Sequence, residues 1–146
     1  MKNIKNTGIM NNIVIDSDIL LDFLLQRQLF FDHSSKVLAL CERGKVKGFI
    51  TGLIISNTYY LLRKHFQHKL IMNDFKQLLV FLDVLTIEKN TILKAIDSEF
   101  SDFEDALQNF SAESNGIINA IITRNINDYK KSKLSVLTPT MFLEIL

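Results

Sequence analysis

The chain has 146 residues, of which 47% are hydrophobic and 23% are charged, a composition typical of one globular domain that excludes an intrinsically disordered protein. Five glycines and one proline exclude collagen-like and linker-like sequences and favour long helices joined by short loops. The formal net charge of +1 gives no sign of the strongly basic surface by which many nucleic-acid-binding proteins are identified.

Short apolar segments rich in β-branched residues begin at residue 12, whereas residues 1–11 are polar and weakly patterned. We therefore predict a leader over residues 1–11 and a single domain over residues 12–146. The predicted strands are, in chain order, Asn12–Asp16, Lys47–Thr51, Val84–Thr86, Ile117–Thr123 and Ser135–Leu137.

Between these strands lie longer segments whose apolar residues recur at helical spacing. The predicted helices cover Ile19–Leu25, Asp32–Glu42, Leu53–His65, Ile71–Leu82, Asn90–Ser98, Phe103–Glu113 and a last segment that starts at Pro139. Short strands that alternate with helices predict an α/β fold, in which a mostly parallel sheet is covered by helices on both faces. No segment has the ~18 consecutive apolar residues of a transmembrane helix, so we predict no membrane partner.

Acidic residues collect at the points where predicted strands end or predicted helices begin. They are Asp16, Asp18 and Asp22 after the first strand, Asp102, Glu104 and Asp105 at the start of the sixth helix, and Asp128 after the fourth strand. In parallel sheets ligands bind beyond the carboxyl ends of the strands, so we expect these side chains to converge there. Converging carboxylates repel one another unless a cation is bound, and oxygen ligands without His or Cys suit Mg²⁺ or Mn²⁺.

Several of these acids also have a purely structural interpretation. Asp18 is suited to cap its helix, and Asp102 and Glu104 are suited to a first helical turn, where negative charge complements the helix dipole. Asp128 taken alone fits a solvated loop. Asp16 favours a functional role, because a charge that ends a buried Ile-Val-Ile run is costly unless it is paired or bound to a metal.

Four segments resemble motifs of the PIN-domain nuclease family, in a bacterial branch related to VapC-type toxins. The segments are Ile15–Leu25, Ser56–Lys64, Asp102–Gln108 and Ile121–Tyr129. Their order is that of the family, and the resemblance extends from Asn12 to the C-terminus. It implies a three-layer α/β/α sandwich with a central, mostly parallel sheet.

The resemblance also implies an activity, which is metal-dependent hydrolysis of RNA phosphodiester bonds by the toxin of a toxin–antitoxin pair. The implied catalytic and metal-binding residues are Asp16, Asp105 and Asp128, and the implied cofactor is Mg²⁺ or Mn²⁺. The implied supporting residues are Asp18, Asn57, Asp102, Glu104, Thr123 and Asn125. Asn57 and Asn125 depart from the family pattern, since acids are usual at both positions and an amide oxygen brings no charge.

Binding of RNA needs cations, because contacts to phosphate supply most of the non-specific affinity. Arg124 and Lys130 are the predicted substrate-binding residues, and Arg124 has a second interpretation as the salt-bridge partner of a carboxylate. The resemblance further implies an antitoxin protein as a partner and a homodimer. Cys41 is the only cysteine and no signal-peptide pattern begins the chain, so we predict a cytoplasmic protein without an internal disulfide.

Two other functions are consistent with the same residues. Asp16-Ser17-Asp18 also resembles the Asp-x-Asp motif of haloacid-dehalogenase-like phosphatases, in which Asp16 would be the nucleophile and Asp18 the general acid. The chain is short for that fold. The third candidate is a catalytically weakened PIN-like interaction module, in which the amides Asn57 and Asn125 have replaced acids and only partner binding remains.

Overall fold

The computed structural model describes residues 11–146, so the predicted leader lies, apart from Asn11, outside the described residues. Within residues 11–146 the strands are β1 (Asn12–Ile15), β2 (Lys47–Thr51), β3 (Leu82–Leu85), β4 (Ala120–Ile122) and β5 (Ser135–Leu137). They form one sheet in the order β3-β2-β1-β4-β5, and each strand pair is parallel. The predicted parallel sheet is therefore confirmed.

Helices occupy the crossovers that connect these parallel strands. They are α1 (Ser17–Leu24), α2 (Phe31–Glu42), α3 (Gly52–Leu62), α4 (His68–Leu78), α5 (Lys89–Ile96), α6 (Phe103–Asn115) and α7 (Pro139–Glu144), with a 3₁₀ helix over Ile126–Tyr129. This arrangement confirms the predicted α/β/α sandwich. Of the helices in residues 11–146, none combines the length and the hydropathy that crossing a lipid bilayer requires.

The central strand β1 forms the middle of the hydrophobic core. Its residues Ile13, Val14 and Ile15 are at most 1% exposed, because neighbouring strands flank β1 on both sides and helices cover its faces. Ile13 lies opposite Gly48 of β2 and Ala120 of β4. Burial of each such side chain contributes roughly 1.5–3 kcal/mol, which fixes the register of the strand and the place where it ends.

Close packing around β2 explains the glycine at position 48. A Cβ atom on Gly48 would lie 2.7 Å from both Cys41 Sγ and Leu82 Cδ2, which is closer than van der Waals contact allows. The absence of a side chain at this position therefore lets α2 and β3 approach β2 closely.

Several predicted boundaries differ from the observed ones by one to four residues, and two of these differences have a clear local reason. Helix α4 ends at Leu78 rather than at Leu82, because Leu82 already belongs to β3 even though its spacing continues the apolar face of the helix. Strand β4 begins at Ala120 rather than at Ile117. The chain must first leave α6 through Gly116, whose φ of +81° ends the helix in a left-handed conformation.

Candidate active site

Asp16 lies at the carboxyl end of β1 and is held by four hydrogen-bond donors. Its Oδ1 accepts the backbone N–H of Ser17 at 2.9 Å and Nε2 of Gln108 at 3.4 Å. Its Oδ2 accepts the hydroxyl of Thr123 at 2.9 Å and that of Tyr129 at 3.4 Å. Only 7% of Asp16 is exposed, and this burial raises the pKa of its carboxyl above the usual range although the four donors oppose the change.

Asp18 lies beside Asp16 at the same edge of the sheet. Its Oδ2 accepts the backbone N–H of Arg124 at 2.9 Å, the Thr123 hydroxyl at 3.3 Å and Nδ2 of Asn125 at 3.4 Å, whereas its buried Oδ1 has no partner among the described residues. Burial and the charge of Asp16 raise the pKa of Asp18 to about 6. The prediction that Asp18 caps its helix is wrong, because α1 begins at Ser17 rather than at Ile19 and Asp16 is the N-cap.

The start of α6 brings Asp105 toward this pair of acids. Asp102 is the N-cap of α6, and its Oδ1 accepts the backbone N–H of Asp105 at 3.0 Å, so this acid has the structural role of opening the helix. Asp105 is partly exposed. Burial and the negative charges of Asp102, Asp16 and Asp128 raise the pKa of Asp105 to about 7. The interaction with Asp16 and Asp128 indicates that the three predicted catalytic acids lie in one electrostatic environment.

Asn57 and Glu104 form a hydrogen bond between α3 and the first turn of α6. Nδ2 of Asn57 donates to Oε2 of Glu104 at 2.6 Å, and both residues are exposed or partly exposed at the surface. An acid at position 57 would place two carboxylates in direct contact here. The amide at this position therefore fits its neighbour, which itself supplies a carboxylate.

Gln108 and Tyr129 belong to this site, although the sequence analysis included them only as the last residues of two motifs and assigned them no role. Gln108 is one helical turn beyond Asp105, Tyr129 ends the 3₁₀ helix, and Nε2 of Gln108 donates to the Tyr129 hydroxyl at 3.3 Å. The two residues are 3% and 1% exposed. Burial and the charge of Asp16 raise the pKa of Tyr129, so its phenol stays protonated and can donate. The only sequence signal is a polar residue one turn after Asp105, which is too weak to be read without the fold.

Arg124 is engaged by a buried acid. Its Nε and Nη2 donate to the carboxylate of Asp22 at 2.9 and 3.1 Å, and Asp22 is 0% exposed. The same carboxylate also accepts the hydroxyl of Ser34 at 3.1 Å and lies 3.4 Å from Nη1 of Arg27. The guanidinium of Arg124 is 3.8 Å from the centroid of the Phe30 ring. The structure therefore agrees with the second interpretation of Arg124, in which it is the salt-bridge partner of a carboxylate.

The donor set was tested for its fit to a divalent cation. Within residues 11–146, no three His, Cys, Asp or Glu side chains are arranged closely enough to form a metal site as they stand. The unpartnered Oδ1 of Asp18 and the raised pKa of Asp105 nevertheless indicate negative charge that the surrounding residues do not neutralise. The oxygens of Asp16, Asp18 and Asp105 are the ligand type that Mg²⁺ and Mn²⁺ prefer. Asp128 lies in the 3₁₀ helix and Lys130 directly after it; both are exposed, and the charge of Asp128 acts on Asp105.

This chain is similar to known proteins both in sequence and in structure. A family model described as "PIN domain" matches residues 12–127. Ribonuclease VapC1 of Aquifex aeolicus (strain VF5) is 25% identical over 137 residues, which cover 90% of this chain and 93% of that protein.

Three solved structures share the fold. VapBC2 from Rickettsia felis, bound to a DNA fragment from its promoter, has a TM-score of 0.62 at 11% identity and covers 86% of this chain and 96% of its own. FitAB bound to an IR36 DNA fragment has a TM-score of 0.66 at 10% identity, and the match covers 87% of this chain and 94% of that chain. PAE2754 from Pyrobaculum aerophilum has a TM-score of 0.62 at 18% identity, with coverages of 92% and 96%. Because the identities lie between 10% and 18%, the similarity to these three structures shows the fold alone.

Proposed function

The chain belongs to the PIN-domain family, as its motifs predicted, and from this premise we propose that it is a metal-dependent endoribonuclease that hydrolyses RNA phosphodiester bonds. The observation that carries the proposal is the group of Asp16, Asp18 and Asp105 at the carboxyl edge of the sheet, with raised pKa values and one buried oxygen that has no partner. Its similarity to a protein named Ribonuclease VapC1 supports the choice of RNA as substrate.

The proposal extends to the partners of the protein. We propose that it acts as the toxin of a toxin–antitoxin pair, that an antitoxin protein binds it, and that it forms a homodimer in the cytoplasm. Fold similarity to VapBC2 and FitAB, each solved with a DNA fragment, supports an assembly with a second protein. Cleavage of RNA would then take place on this chain alone, because the acids that we assign to cleavage all belong to it.

The residues that we assign to the cation are Asp16, Asp105 and Asp128, with Asp18 beside them as a further source of oxygen ligands. When bound, Mg²⁺ or Mn²⁺ would lower the pKa of a water ligand and stabilise the negative charge that develops on the transferring phosphate. A cation would also remove the repulsion that raises the pKa of Asp105. The amide Asn125 contributes through its hydrogen bond to Asp18 rather than through a charge.

The chain's own side chains hold this site in place. Thr123, Gln108 and Tyr129 fix both oxygens of Asp16, so that the carboxylate cannot rotate when substrate enters. Asp105 is partly exposed in the first turn of α6, so a cation or a substrate can reach its carboxylate from solvent. Glu104 and Asn57 extend the polar rim of the site on its α3 side.

The test compares wild-type protein with Asp16→Asn on a labelled pool of single-stranded RNA, in Mg²⁺, Mn²⁺ or EDTA. Asp83→Asn is the matched control, because Asp83 is an exposed acid on β3 whose one side-chain partner among residues 11–146 is Lys47. We expect wild type and the control to cleave RNA in Mg²⁺ or Mn²⁺ but not in EDTA, and Asp16→Asn to be inactive. Cleavage by Asp16→Asn at the wild-type rate would refute the role of Asp16.

The two other candidate functions give different results in the same test. Absence of cleavage by the wild-type protein, together with failure to bind Mn²⁺, would support the weakened interaction module. An aspartyl-phosphate trapped on Asp16 would support the phosphatase. Membership of the PIN-domain family disfavours the phosphatase, because the family model covers residues 12–127 and so includes Asp16 and Asp18.

A further inference from the structure

We propose that a cavity next to the carboxylate cluster is a nucleotide subsite, which holds one nucleotide of an RNA chain through its base and its phosphate. The cavity has a volume of about 370 Å³ and is lined by Leu29, Phe30, His33, Arg124 and Thr140, among others. The inference rests on the proposed function, since it assigns a second contact to the same substrate.

The cavity begins where the carboxylate cluster ends. The backbone N–H of Arg124 donates to Asp18 at 2.9 Å, while the side chain of Arg124 lines the cavity. Thr138, which also lines it, directly follows β5, and β5 pairs in parallel with β4. The cavity thus opens at the same carboxyl edge of the sheet as Asp16. A chain that has one phosphodiester at the acids can therefore place an adjacent nucleotide in this cavity.

The charge in the cavity wall suits a phosphate group. Two guanidinium groups, those of Arg124 and Arg27, share the single buried carboxylate of Asp22, and the carboxylate of Asp18 also acts on Arg124 from the side of the acids. Nη1 of Arg124 has no hydrogen-bond partner within residues 11–146, and 25% of that side chain is exposed. RNA is a polyanion, so it needs a cationic contact close to the carboxylates. The free N–H of the Arg124 guanidinium offers such a contact to a phosphate group.

The remaining wall suits a nucleobase. Phe30 is 38% exposed, and the guanidinium of Arg124 lies over one face of its ring, 3.8 Å from the centroid, so the cavity wall contains both an aromatic ring and a guanidinium plane. Nucleobases stack on aromatic rings and on guanidinium planes. Leu29, which is 83% exposed, adds apolar surface, and the exposed His33 and Thr140 offer hydrogen-bonding groups to the edge of a base. The volume is near the lower end of the ~300–1,000 Å³ of small-molecule sites, which fits one nucleotide rather than several.

Backbone amide chemical shifts of ¹⁵N-labelled wild-type protein test the subsite directly. The protein is titrated in EDTA with each of the four nucleoside 5′-monophosphates and, separately, with inorganic phosphate. We expect at least one nucleotide to shift the amides of Phe30, His33 and Thr140, and to do so at lower concentration than phosphate. Equal effects of phosphate and of every nucleotide would overturn the assignment of a base site.

Two pairs of variants test whether the subsite contributes to RNA binding, which is measured by fluorescence anisotropy of a short labelled RNA in EDTA. Phe30→Leu removes the ring and Tyr60→Leu removes an exposed ring on α3, outside the cavity. Leu29→Glu adds a negative charge at the cavity, and Val80→Glu adds one at a similarly exposed site elsewhere. We expect the cavity variants to bind RNA about tenfold more weakly and both controls to stay within about twofold of wild type.

The outcomes separate the subsite from the nuclease activity. Cleavage of RNA by a protein whose cavity amides respond to no nucleotide overturns the subsite and leaves the proposed function intact. Nucleotide-specific shifts in a protein that does not cleave RNA support the subsite while the proposed function fails. Shifts at the same amides that depend on protein concentration alone would show that a second copy of the chain fills the cavity, and would overturn the inference.

Discussion

Replacing Asp105 with asparagine is predicted to make the metal-free protein more stable at alkaline pH. The substitution keeps the size and shape of the side chain and removes its charge. Burial and three neighbouring acids raise the pKa of Asp105 to about 7 from its ordinary value of 3.8, so the ionised form is disfavoured in the folded protein. Asparagine at this position removes that unfavourable charge and leaves the N-cap of α6 in place, because Asp102 accepts a backbone N–H there.

The magnitude follows from the difference between the two pKa values. A shift from 3.8 to about 7 corresponds to about 4 kcal/mol for a group shielded from water. Asp105 is partly exposed, and solvent screening reduces this to about 1–2 kcal/mol. Because the folded state holds its proton more tightly than the unfolded state, the free energy of unfolding of wild type falls as pH rises from about 4 to about 7. The gain from Asp105→Asn is therefore absent near pH 4 and complete above pH 7.

Urea denaturation of both proteins in EDTA at several pH values measures this difference, and thermal unfolding provides a second readout. At pH 8 we expect Asp105→Asn to unfold about 4 °C above wild type, and near pH 4 we expect the two to coincide. Mn²⁺ is expected to stabilise wild type more than the variant. Asp97→Asn, an exposed acid that ends α5, controls for the loss of one charge. Equal or lower stability of Asp105→Asn at pH 8 would refute the electrostatic reasoning.

Three further substitutions test other parts of the structure. Arg124→Ala leaves the buried carboxylate of Asp22 without its two closest guanidinium contacts. We therefore expect the free energy of unfolding, measured in urea, to fall by about 3 kcal/mol. A loss smaller than the error of the method would contradict this argument from burial. Tyr129→Phe removes the hydroxyl that contacts Asp16 and is expected to slow RNA cleavage about tenfold. Tyr59→Phe loses a hydroxyl contact to His68 and none to the acids, so it is expected to cleave at the wild-type rate; equal rates for both variants would remove Tyr129 from the site. Gly48→Ala is expected to destabilise the core by about 1–3 kcal/mol in thermal unfolding, and no change would show that the surrounding side chains relax freely.

Local patterns in the sequence were sufficient for most of the fold. The β-branched run that ends at Asp16 predicted β1, and the segment Lys47–Thr51 matches β2 residue for residue, because each strand is apolar and bounded by polar residues. The end of α4 was not predictable in this way. Leu82 continues the helical apolar spacing, and only its pairing with Gly48 in the sheet shows that it belongs to a strand.

The site needed the three-dimensional structure because its contacts join distant parts of the chain. Arg124 and Asp22 are 102 residues apart, and Asn57 and Glu104 are 47 residues apart, so no local pattern predicts either pair. The position of Asp16 at a strand end was predictable from the pattern of the first strand. The helix that donates a hydrogen bond to the Asp16 carboxylate was not predictable, because this contact depends on how α6 packs against the sheet.

The hydrogen bond between Asn57 and Glu104 has an evolutionary consequence. An amide at position 57 is complementary to an acid at position 104. Selection is then expected to act on the total charge of the two positions rather than on the identity of either residue. Relatives with an acid on α3 are then expected to carry a neutral side chain where this chain has Glu104. A motif defined by single columns of an alignment would score this chain as lacking an acid on α3. Glu104 nevertheless supplies a carboxylate to the same contact from α6.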